Sequence, residues 1–543
     1  MRHFLRTFTV AAAVLVSSSS QPLVACTNIL VTKGASKDGS TLITYAADSH
    51  TLYGELYFKA GGHHLPTEKR DIVEWDTGKF LGRIQEAPVT YTRVGNMNEF
   101  QVCIGETTFG GLKPLQEPAG IVDYGSLMYI ALERSRTARE AIQIMGDLVA
   151  EYGYASEGES ISIGDPNEAW IFDIIGKGKG KKGAVWVAMK VPDGNISAHA
   201  NHSRISQFPL NDPKTCLYSK DVISFARDNG YFKGEDKAFS FTDVYAPADF
   251  GALRFCEARV WSVFNRAAPS LKLPIDIAKG TPGAKPMPLT IKPDHKLDVH
   301  DVMELMRDHY EGTELDMTKD VGAGPYQLPY RWRPMEWKVD GKDYVHERAI
   351  STQQTGWSFV SQSRSWLPDP IGGVLWFGVD DTYSTVYVPM YCGIKAVPHS
   401  FAEGTGSWNA FSWDSAYWTF NFVANYAYSR YNDMIVDVQK VQRELEGNFL
   451  GQQAEVEEQA KALFKQSPLL AREFLTQYSC TQGELVTARW KKLGEFLIWK
   501  YMDGNVRDAK GEVTHPAYSD AWYRRIRQDN GPALQAPAAP ASH

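Results

Sequence analysis

The sequence has little of what marks several protein classes. It holds only six cysteines in 543 residues, which excludes a fold held together by disulfides. The longest purely apolar run, residues 10–16, is far shorter than the roughly 20 residues that cross a bilayer as a helix. Positive charge is not in excess, with 57 Lys and Arg against 64 Asp and Glu, and no basic stripe is present. Nucleic acid is therefore not an expected partner.

What is present is the composition of a folded protein. Hydrophobic residues make up 43% of the chain and charged residues 22%, which are ordinary globular values. The length allows one large domain or two to three smaller ones, and no internal repeat or clear linker divides the chain.

The first 25 residues have the order of a secretory signal. Arg2 and Arg6 precede the apolar stretch 8–16, and a polar segment then leads to the small residue Ala25. Cleavage before Cys26 would give a secreted or periplasmic protein. Residues 23–26, Leu-Val-Ala-Cys, also fit a lipoprotein box, in which Cys26 carries lipid and anchors the chain to a membrane.

The residues after Cys26 decide between these alternatives. Lipoproteins commonly continue with a flexible polar tether, whereas residues 27–32 here have a strand pattern, 36–39 a turn pattern and 40–46 a second strand pattern. With the hairpin apex near Lys37, Cys26 is predicted to lie opposite Asp48. A new N-terminal thiol, its α-amine and a carboxylate would then be neighbours.

Such a group of residues suits nucleophilic catalysis. A thiol has a pKa of about 8.5 and an α-amine about 7.7–8.0, so a free N-terminal amine can act as a base near neutral pH. We therefore predict that Cys26 is a nucleophile with its own amine as base. The alternative is a strand that simply begins with a buried cysteine.

Residues 26–40, Cys-Thr-Asn-Ile-Leu-Val-Thr-Lys-Gly-Ala-Ser-Lys-Asp-Gly-Ser, resemble the start of the cysteine dipeptidases. These enzymes are N-terminal-nucleophile hydrolases related to penicillin V acylases and bile-salt hydrolases. The resemblance continues in order along the chain, at residues 132–142, 168–170, 186–188, 191–194, 199–205, 362–368 and 371–376.

The resemblance implies roles for matching positions. Cys26 corresponds to the nucleophile and Asp48 to the catalytic aspartate, nine residues after Gly39. Asn201 resembles the asparagine that helps to hold the amine and the oxyanion. A late arginine is expected at Arg254 or Arg259, and Arg259 is favoured.

Two positions depart from the acylase pattern. Tyr45 stands where the acylases have an arginine, and a phenol cannot supply a permanent positive charge. Thr108 stands in the segment where an oxyanion asparagine is expected, although its hydroxyl or a backbone N–H can still donate to an oxyanion. A dipeptidase must also bind a free ammonium group, for which Glu99 and Glu106 are the nearest acids in the sequence.

The resemblance implies an α+β fold, the four-layer αββα sandwich of N-terminal-nucleophile hydrolases with C-terminal helical additions. The chain divides into a leader 1–25, a hydrolase domain 26–530 and a disordered Pro/Ala tail 531–543. Thr137 and Gly153 bound a predicted helix. Segments 169–175 and 184–191 are predicted to pair as strands, and 412–497 to form packed helices.

No metal site or cofactor is predicted. His295, His300 and His309 fit no zinc spacing, and His346 has no partner histidine four residues on. The expected function is an exported cysteine dipeptidase that acts through a Cys26 acyl-enzyme on dipeptide substrates, without a transmembrane segment. An N-acyl amide hydrolase of the same fold and a lipidated peptide-binding lipoprotein are the alternatives. Whether the chain forms a homo-oligomer stays open.

Overall fold

The computed structural model describes residues 26–49, 52–116, 118–332 and 335–537. The predicted leader 1–25 therefore lies outside the described residues. Strands and helices are both abundant, in agreement with the predicted α+β class. Two large antiparallel sheets organise the described part of the chain.

The first sheet has seven strands among the described residues. Their order across the sheet is Thr290–Ile291, Ile196–His199, Asn28–Val31, Thr41–Asp48, Thr355–Ser363, Val374–Val379 and Val388–Tyr391. Every residue of Thr41–Asp48 is buried, because both faces of this strand are covered. The strand therefore lies at the centre of the molecule rather than at its surface.

The second sheet has eight described strands. Their order is Cys216–Tyr218, Ala184–Lys190, Ala169–Gly176, Gly158–Gly164, Cys103–Phe109, Met97–Asn98, Arg93–Val94 and Phe58–Lys59. The predicted pairing of the strands near 169–175 and 184–191 is confirmed, with Gly176 opposite Ala184. In the described part of the chain, four two-stranded sheets lie outside the two large ones. They are Gly62–His63 with Val89–Thr90, Lys69–Val73 with Phe80–Gln85, Glu336–Val339 with Lys342–Val345, and Val506–Arg507 with Val513–Thr514.

The two sheets pack face to face. A Cβ on Gly105 of the eight-stranded sheet would come within 2.9 Å of the Cβ of Tyr45 in the seven-stranded sheet, so this close approach requires glycine. His199 links the sheets by hydrogen bonds of 2.7 Å to Thr107 and 2.7 Å to Ser162. Burial lowers the pKa of His199 to about 3, so the imidazole is neutral between the sheets.

Helices cover the outer faces of both sheets. Tyr124–Arg134 and Ala138–Tyr152 pack on the eight-stranded sheet. Thr137 caps the second of them and Gly153 ends it, as predicted. The other described α-helices are Val222–Asp228, Phe241–Tyr245, Ala258–Ala267, Val299–Met306, Asp369–Gly372, Ala416–Tyr428, Tyr431–Gln466, Pro468–Tyr501 and Asp520–Leu534. Of these, Ala258–Ala267, Val299–Met306 and the helices between 416 and 501 contact the seven-stranded sheet.

The C-terminal region is helical, as predicted for 412–497. Its two longest helices, Tyr431–Gln466 and Pro468–Tyr501, pack against each other and against the edge strand Val388–Tyr391. The last helix, Asp520–Leu534, extends four residues into the segment 531–543 for which a disordered tail is predicted. Residues 538–543 lie outside the described residues.

The register of the first hairpin differs from the prediction by one residue. Leu30 pairs with Ile43, and Thr27 pairs with Ala46, so Cys26 faces Ala47 rather than Asp48. The predicted register was wrong because a 3₁₀ turn, Lys33–Ala35, follows the first strand. This slip matters because alternate residues of a strand point to opposite faces.

Candidate active site

The sulfur of Cys26 points towards the eight-stranded sheet and is fully buried. It lies 3.8 Å from the hydroxyl oxygen of Tyr45 and 3.8 Å from Oε1 of Glu106. The Tyr45 hydroxyl also donates a short hydrogen bond to this Glu106 oxygen. Three of the residues singled out in the sequence thus form one buried contact group.

The thiol of Cys26 is held in its neutral form in this arrangement. Burial raises its pKa well above the ordinary value, and the nearby carboxylates of Glu106 and Asp48 raise the pKa further. The hydrogen bonds that link the sulfur to the Asp48 backbone and to the Tyr45 hydroxyl act in the opposite direction but are outweighed. A buried thiol next to acids needs an additional base or cation to become a reactive thiolate.

Glu106 is one half of a buried pair of carboxyl groups. Its side chain is hydrogen-bonded to that of Glu159, and burial raises the pKa of both acids, with the second negative charge raising that of Glu159 further. Two adjacent carboxylates cannot both stay charged without a proton between them. Glu159 therefore keeps the proton, and Glu106 is the member of the pair that reaches the sulfur.

Asp48 lies on the other face of the seven-stranded sheet. Its two carboxylate oxygens accept hydrogen bonds of 2.6 Å from Arg348 and 2.6 Å from Thr355. Burial raises the pKa of Asp48, while the guanidinium groups of Arg348 and Arg259 and the Thr355 hydroxyl lower it. The carboxylate is thus held in place by residues about 300 positions away in the sequence.

Arg259 contacts the segment around Cys26 directly. It donates hydrogen bonds of 2.5 Å to the Cys26 carbonyl oxygen, 2.8 Å to the Thr27 hydroxyl and 2.9 Å to Oδ1 of Asn201. Arg254, the other arginine considered from the sequence, pairs with Glu347 instead. Of the two candidates, the structure brings Arg259 to Cys26.

Asn201 joins Arg259 to the strand that carries Glu106. Its amide nitrogen donates 2.8 Å to the backbone oxygen of Thr108, and its φ of 55° is a left-handed conformation that asparagine tolerates better than most residues. The Thr108 hydroxyl donates 2.9 Å to Glu159. Thr108 is therefore tied to Asn201 and Glu159, and no contact between its hydroxyl and Cys26 is seen among the described residues.

Comparison with known proteins gives the family. The model of peptidase family C69 matches residues 63–444, more than half of the chain. The chain belongs to peptidase family C69. This confirms the resemblance to the cysteine dipeptidases that the sequence motifs indicate. The matched range begins after Cys26 and Asp48 and includes Thr108, Asn201 and Arg259.

Curated relatives carry related names. A probable dipeptidase of Latilactobacillus sakei is 26% identical over 70% of this chain and 77% of its own length. A probable dipeptidase of Salmonella dublin is 24% identical, over 69% of this chain and 82% of its own. Probable dipeptidase A of Streptococcus pyogenes serotype M3 is 25% identical, over 76% of this chain and 85% of its own length.

Three residues of this peptidase's site were missed by sequence reasoning. Arg348 and Thr355 hold Asp48, and Glu159 shares a proton with Glu106. No local motif marks them, because strand pairing and the packing of the sheets bring them to the site. Conversely, Glu99, one of the two acids considered for ammonium binding, pairs at 2.6 Å with Arg472.

The described part of the peptidase holds no group of three or more His, Cys, Asp or Glu side chains arranged to bind a metal ion. His309 contacts Glu311. All six cysteines are free thiols. Among the described helices, none combines the length and the apolar character needed to cross a membrane.

Proposed function

We propose that this C69 peptidase is an exported cysteine dipeptidase whose nucleophile is Cys26 at a newly exposed N-terminus. The observation that carries the proposal is the contact group around Cys26. Tyr45 and Glu106 meet its sulfur, and Arg259 holds its carbonyl oxygen. The names of the curated relatives support dipeptides as the substrates.

The layering of the chain supports the finer fold assignment. Helices lie outside two face-to-face antiparallel sheets, which is the order of layers in the αββα sandwich of N-terminal-nucleophile hydrolases. In that fold the nucleophile begins a central strand. Here Cys26 directly precedes the strand pairing of Thr27 with Ala46, at the centre of the seven-stranded sheet.

The first chemical step requires removal of residues 1–25. Hydrolysis of the bond between Ala25 and Cys26 creates an α-amine beside Asp48, whose backbone already contacts the Cys26 sulfur. The amine takes the thiol proton, and the resulting ammonium offsets the acids that now disfavour the thiolate. Asp48, held by Arg348 and Thr355, orients this ammonium.

The thiolate then attacks the carbonyl carbon of the dipeptide. The negative charge that develops on the carbonyl oxygen needs hydrogen-bond donors in a dry site. An amide nitrogen has two N–H groups, so Asn201 can donate one to the oxyanion while the other stays on Thr108. The Cys26 ammonium protonates the leaving amine, and a water molecule activated by the free amine hydrolyses the thioester.

Glu106 suits recognition of the substrate's free ammonium group. It is buried, and its Oε1 lies 3.8 Å from the Cys26 sulfur. An ammonium bound there would satisfy a buried negative charge, whereas an N-acylated substrate would leave that charge unpaired. The lost pairing costs about 1–3 kcal/mol, which is roughly ten- to a hundredfold in kcat/KM.

The test compares Ala-Ala with N-acetyl-Ala-Ala and with phenoxyacetyl and bile-acid amides. We expect Ala-Ala to be cleaved at least tenfold better than the acylated compounds, and Cys26→Ala to abolish cleavage without unfolding. Faster cleavage of the acylated compounds would identify an acylase of the same fold. Activity that is lost in EDTA and restored by zinc would contradict the thiol mechanism.

Export is the second part of the proposal. Lipidation of Cys26 would need its sulfur at the surface, whereas the sulfur is buried against Tyr45 and Glu106. We therefore expect mass spectrometry of the exported protein to give an N-terminal Cys26 without modification. A diacylglyceryl adduct on Cys26 would identify a lipoprotein and would exclude the proposed catalysis.

A further inference from the structure

A cavity of about 410 Å³ opens beyond the end of the strand Thr41–Asp48. Five aromatic side chains form most of its wall: Trp332, Trp408, Tyr417, Trp418 and Tyr428. The remaining described lining residues are serine, asparagine and glutamine, and none of them carries a charge. Its volume lies within the range of about 300–1,000 Å³ that is usual for small-molecule sites.

The cavity begins close to the nucleophile. Its lining residue Ser49 continues the strand, since its N–H donates 3.0 Å to the Gln354 oxygen. Ser49 lies two residues beyond Ala47, which faces Cys26 across the hairpin. Two residues along a strand span about 7 Å, and neighbouring strands lie about 5 Å apart.

The edge of the cavity is therefore roughly 8–9 Å from Cys26, from these strand spacings. An extended dipeptide is about 7 Å long, from about 3.3–3.6 Å per residue. A dipeptide with its scissile carbonyl at Cys26 can therefore place one of its side chains in the cavity. Either the N-terminal or the C-terminal residue of the dipeptide can supply this side chain.

We propose that this cavity is the side-chain subsite of the peptidase and that it selects dipeptides with a bulky, uncharged side chain, above all an aromatic one. The proposal rests on the dipeptidase function proposed above. Aromatic walls favour aromatic guests through edge-to-face and offset-stacked contacts. A charged side chain would lose its hydration there without gaining an ionic partner from the wall.

One of the carboxyl groups behind the cavity wall, that of Asp380, is consistent with an uncharged side chain in the cavity. Asn421 lines the cavity and donates 2.9 Å to Asp380. Burial raises the pKa of Asp380 to about 8, so this carboxyl group is mostly protonated at neutral pH. It does not provide a full negative charge that would attract a lysine or arginine side chain into the cavity.

The experiment measures kcat/KM for two dipeptide series, X-Ala and Ala-X, with X as Phe, Trp, Ala, Lys or Glu. In one of the series we expect Phe and Trp to exceed Ala by about tenfold, with Lys and Glu the poorest. Trp408→Ala should lower kcat/KM for the Phe substrate about three- to tenfold and change Ala-Ala less than twofold. Trp408 is 41% exposed, so this change leaves the core intact.

Three further variants sharpen the test. Trp366→Ala is the matched control, because Trp366 is 52% exposed and lies near Gly39, at the opposite end of the central strands. Trp366→Ala should leave kcat/KM unchanged for every substrate. Asn425→Asp adds a carboxylate to the exposed rim of the cavity and should raise the Lys-to-Glu ratio of kcat/KM, whereas Asn425→Lys should lower it.

The outcomes separate the two proposals. The subsite proposal is overturned if kcat/KM is the same for every X, or if Trp408→Ala lowers kcat/KM equally for all substrates. The dipeptidase function stands in either case. If no dipeptide is cleaved, the proposed function fails. The subsite is then decided by calorimetry of Phe-Ala, Ala-Phe and Ala-Ala binding to Cys26→Ala and to Cys26→Ala with Trp408→Ala. The subsite is supported if a Phe dipeptide binds more tightly than Ala-Ala and this difference is lost with Trp408→Ala. It is overturned if all three dipeptides bind equally.

Discussion

Arg348→Met tests whether the ion pair with Asp48 serves catalysis. Arg348 and Asp48 are both buried and meet at 2.6 Å. Removing one partner of such a pair costs about 3–5 kcal/mol while the other stays charged. The protein can reduce this cost by protonating Asp48, since each unit of pKa change corresponds to about 1.4 kcal/mol.

The direction of the pH effects follows from the charges. Burial already raises the pKa of Asp48, and Arg348 is the strongest influence that lowers it. Without Arg348 the pKa rises further. Since ionised Asp48 orients the Cys26 ammonium in the proposed mechanism, the acidic limb of the kcat/KM profile should move to higher pH.

Stability should change with pH as well. A carboxyl group whose pKa is raised in the folded state binds more protons folded than unfolded between its two pKa values. The free energy of unfolding of Arg348→Met should therefore fall as pH rises from the unfolded value of about 3.9 through the folded pKa. The variant should be closer to the wild type in stability at pH 5 than at pH 8.

The assay combines pH profiles of kcat/KM with urea unfolding at both pH values. Arg364→Met is the matched control, because Arg364 is buried and pairs at 2.6 Å with Glu457. It should destabilise the fold without moving the pH profile. Arg348→Lys should recover part of the wild-type profile. If the acidic limb of Arg348→Met coincides with that of the wild type, Arg348 does not control the ionisation of Asp48.

Three further predictions concern the buried residues between the two sheets, around the Cys26 sulfur. Tyr45→Phe removes the hydroxyl between Cys26 and Glu106 and should lower kcat with little change in melting temperature; unchanged kcat would leave Tyr45 a packing residue. Glu159→Gln still donates to Glu106 and should keep most activity, whereas Glu106→Gln should lower kcat/KM at least tenfold, by loss of a charged hydrogen bond. Gly105→Ala should destabilise the fold by about 1–3 kcal/mol in urea. Gly62→Ala should not, because a Cβ there would meet only the His64 ring, at an ordinary contact distance of 3.6 Å.

Local signals predicted the local elements well. The helix Ala138–Tyr152 begins after its cap Thr137 and ends at Gly153, because these adjacent residues themselves determine where the helix starts and stops. The pairing of Ala169–Gly176 with Ala184–Lys190 follows from two strand patterns around one glycine-rich loop. Such features depend on a few adjacent residues, so one sequence is enough to find them.

Non-local features could not be derived in this way. The register of the first hairpin depends on a 3₁₀ turn for which the local sequence gives no recognisable signal. Arg348 reaches Asp48 only because Thr355–Ser363 pairs with Thr41–Asp48. Arg348 supplies its guanidinium group to Asp48, on the sheet face opposite the Tyr45 hydroxyl. It comes from a distant segment of the chain, which a residue-by-residue comparison cannot detect.

The corrected register gives a physical reason for the proposed nucleophile at an N-terminus. Cys26 and Ala47 share one face of the sheet, so the sulfur meets Tyr45 and Glu106 there, while Asp48 points to the other face with Arg348. A side-chain base on either face would reach the sulfur or the carboxylate, but not both. The α-amine of Cys26 is attached to the backbone between the two faces. Once freed, it can be held by Asp48 and still accept the proton of its own thiol, and an extension before Cys26 should therefore abolish activity.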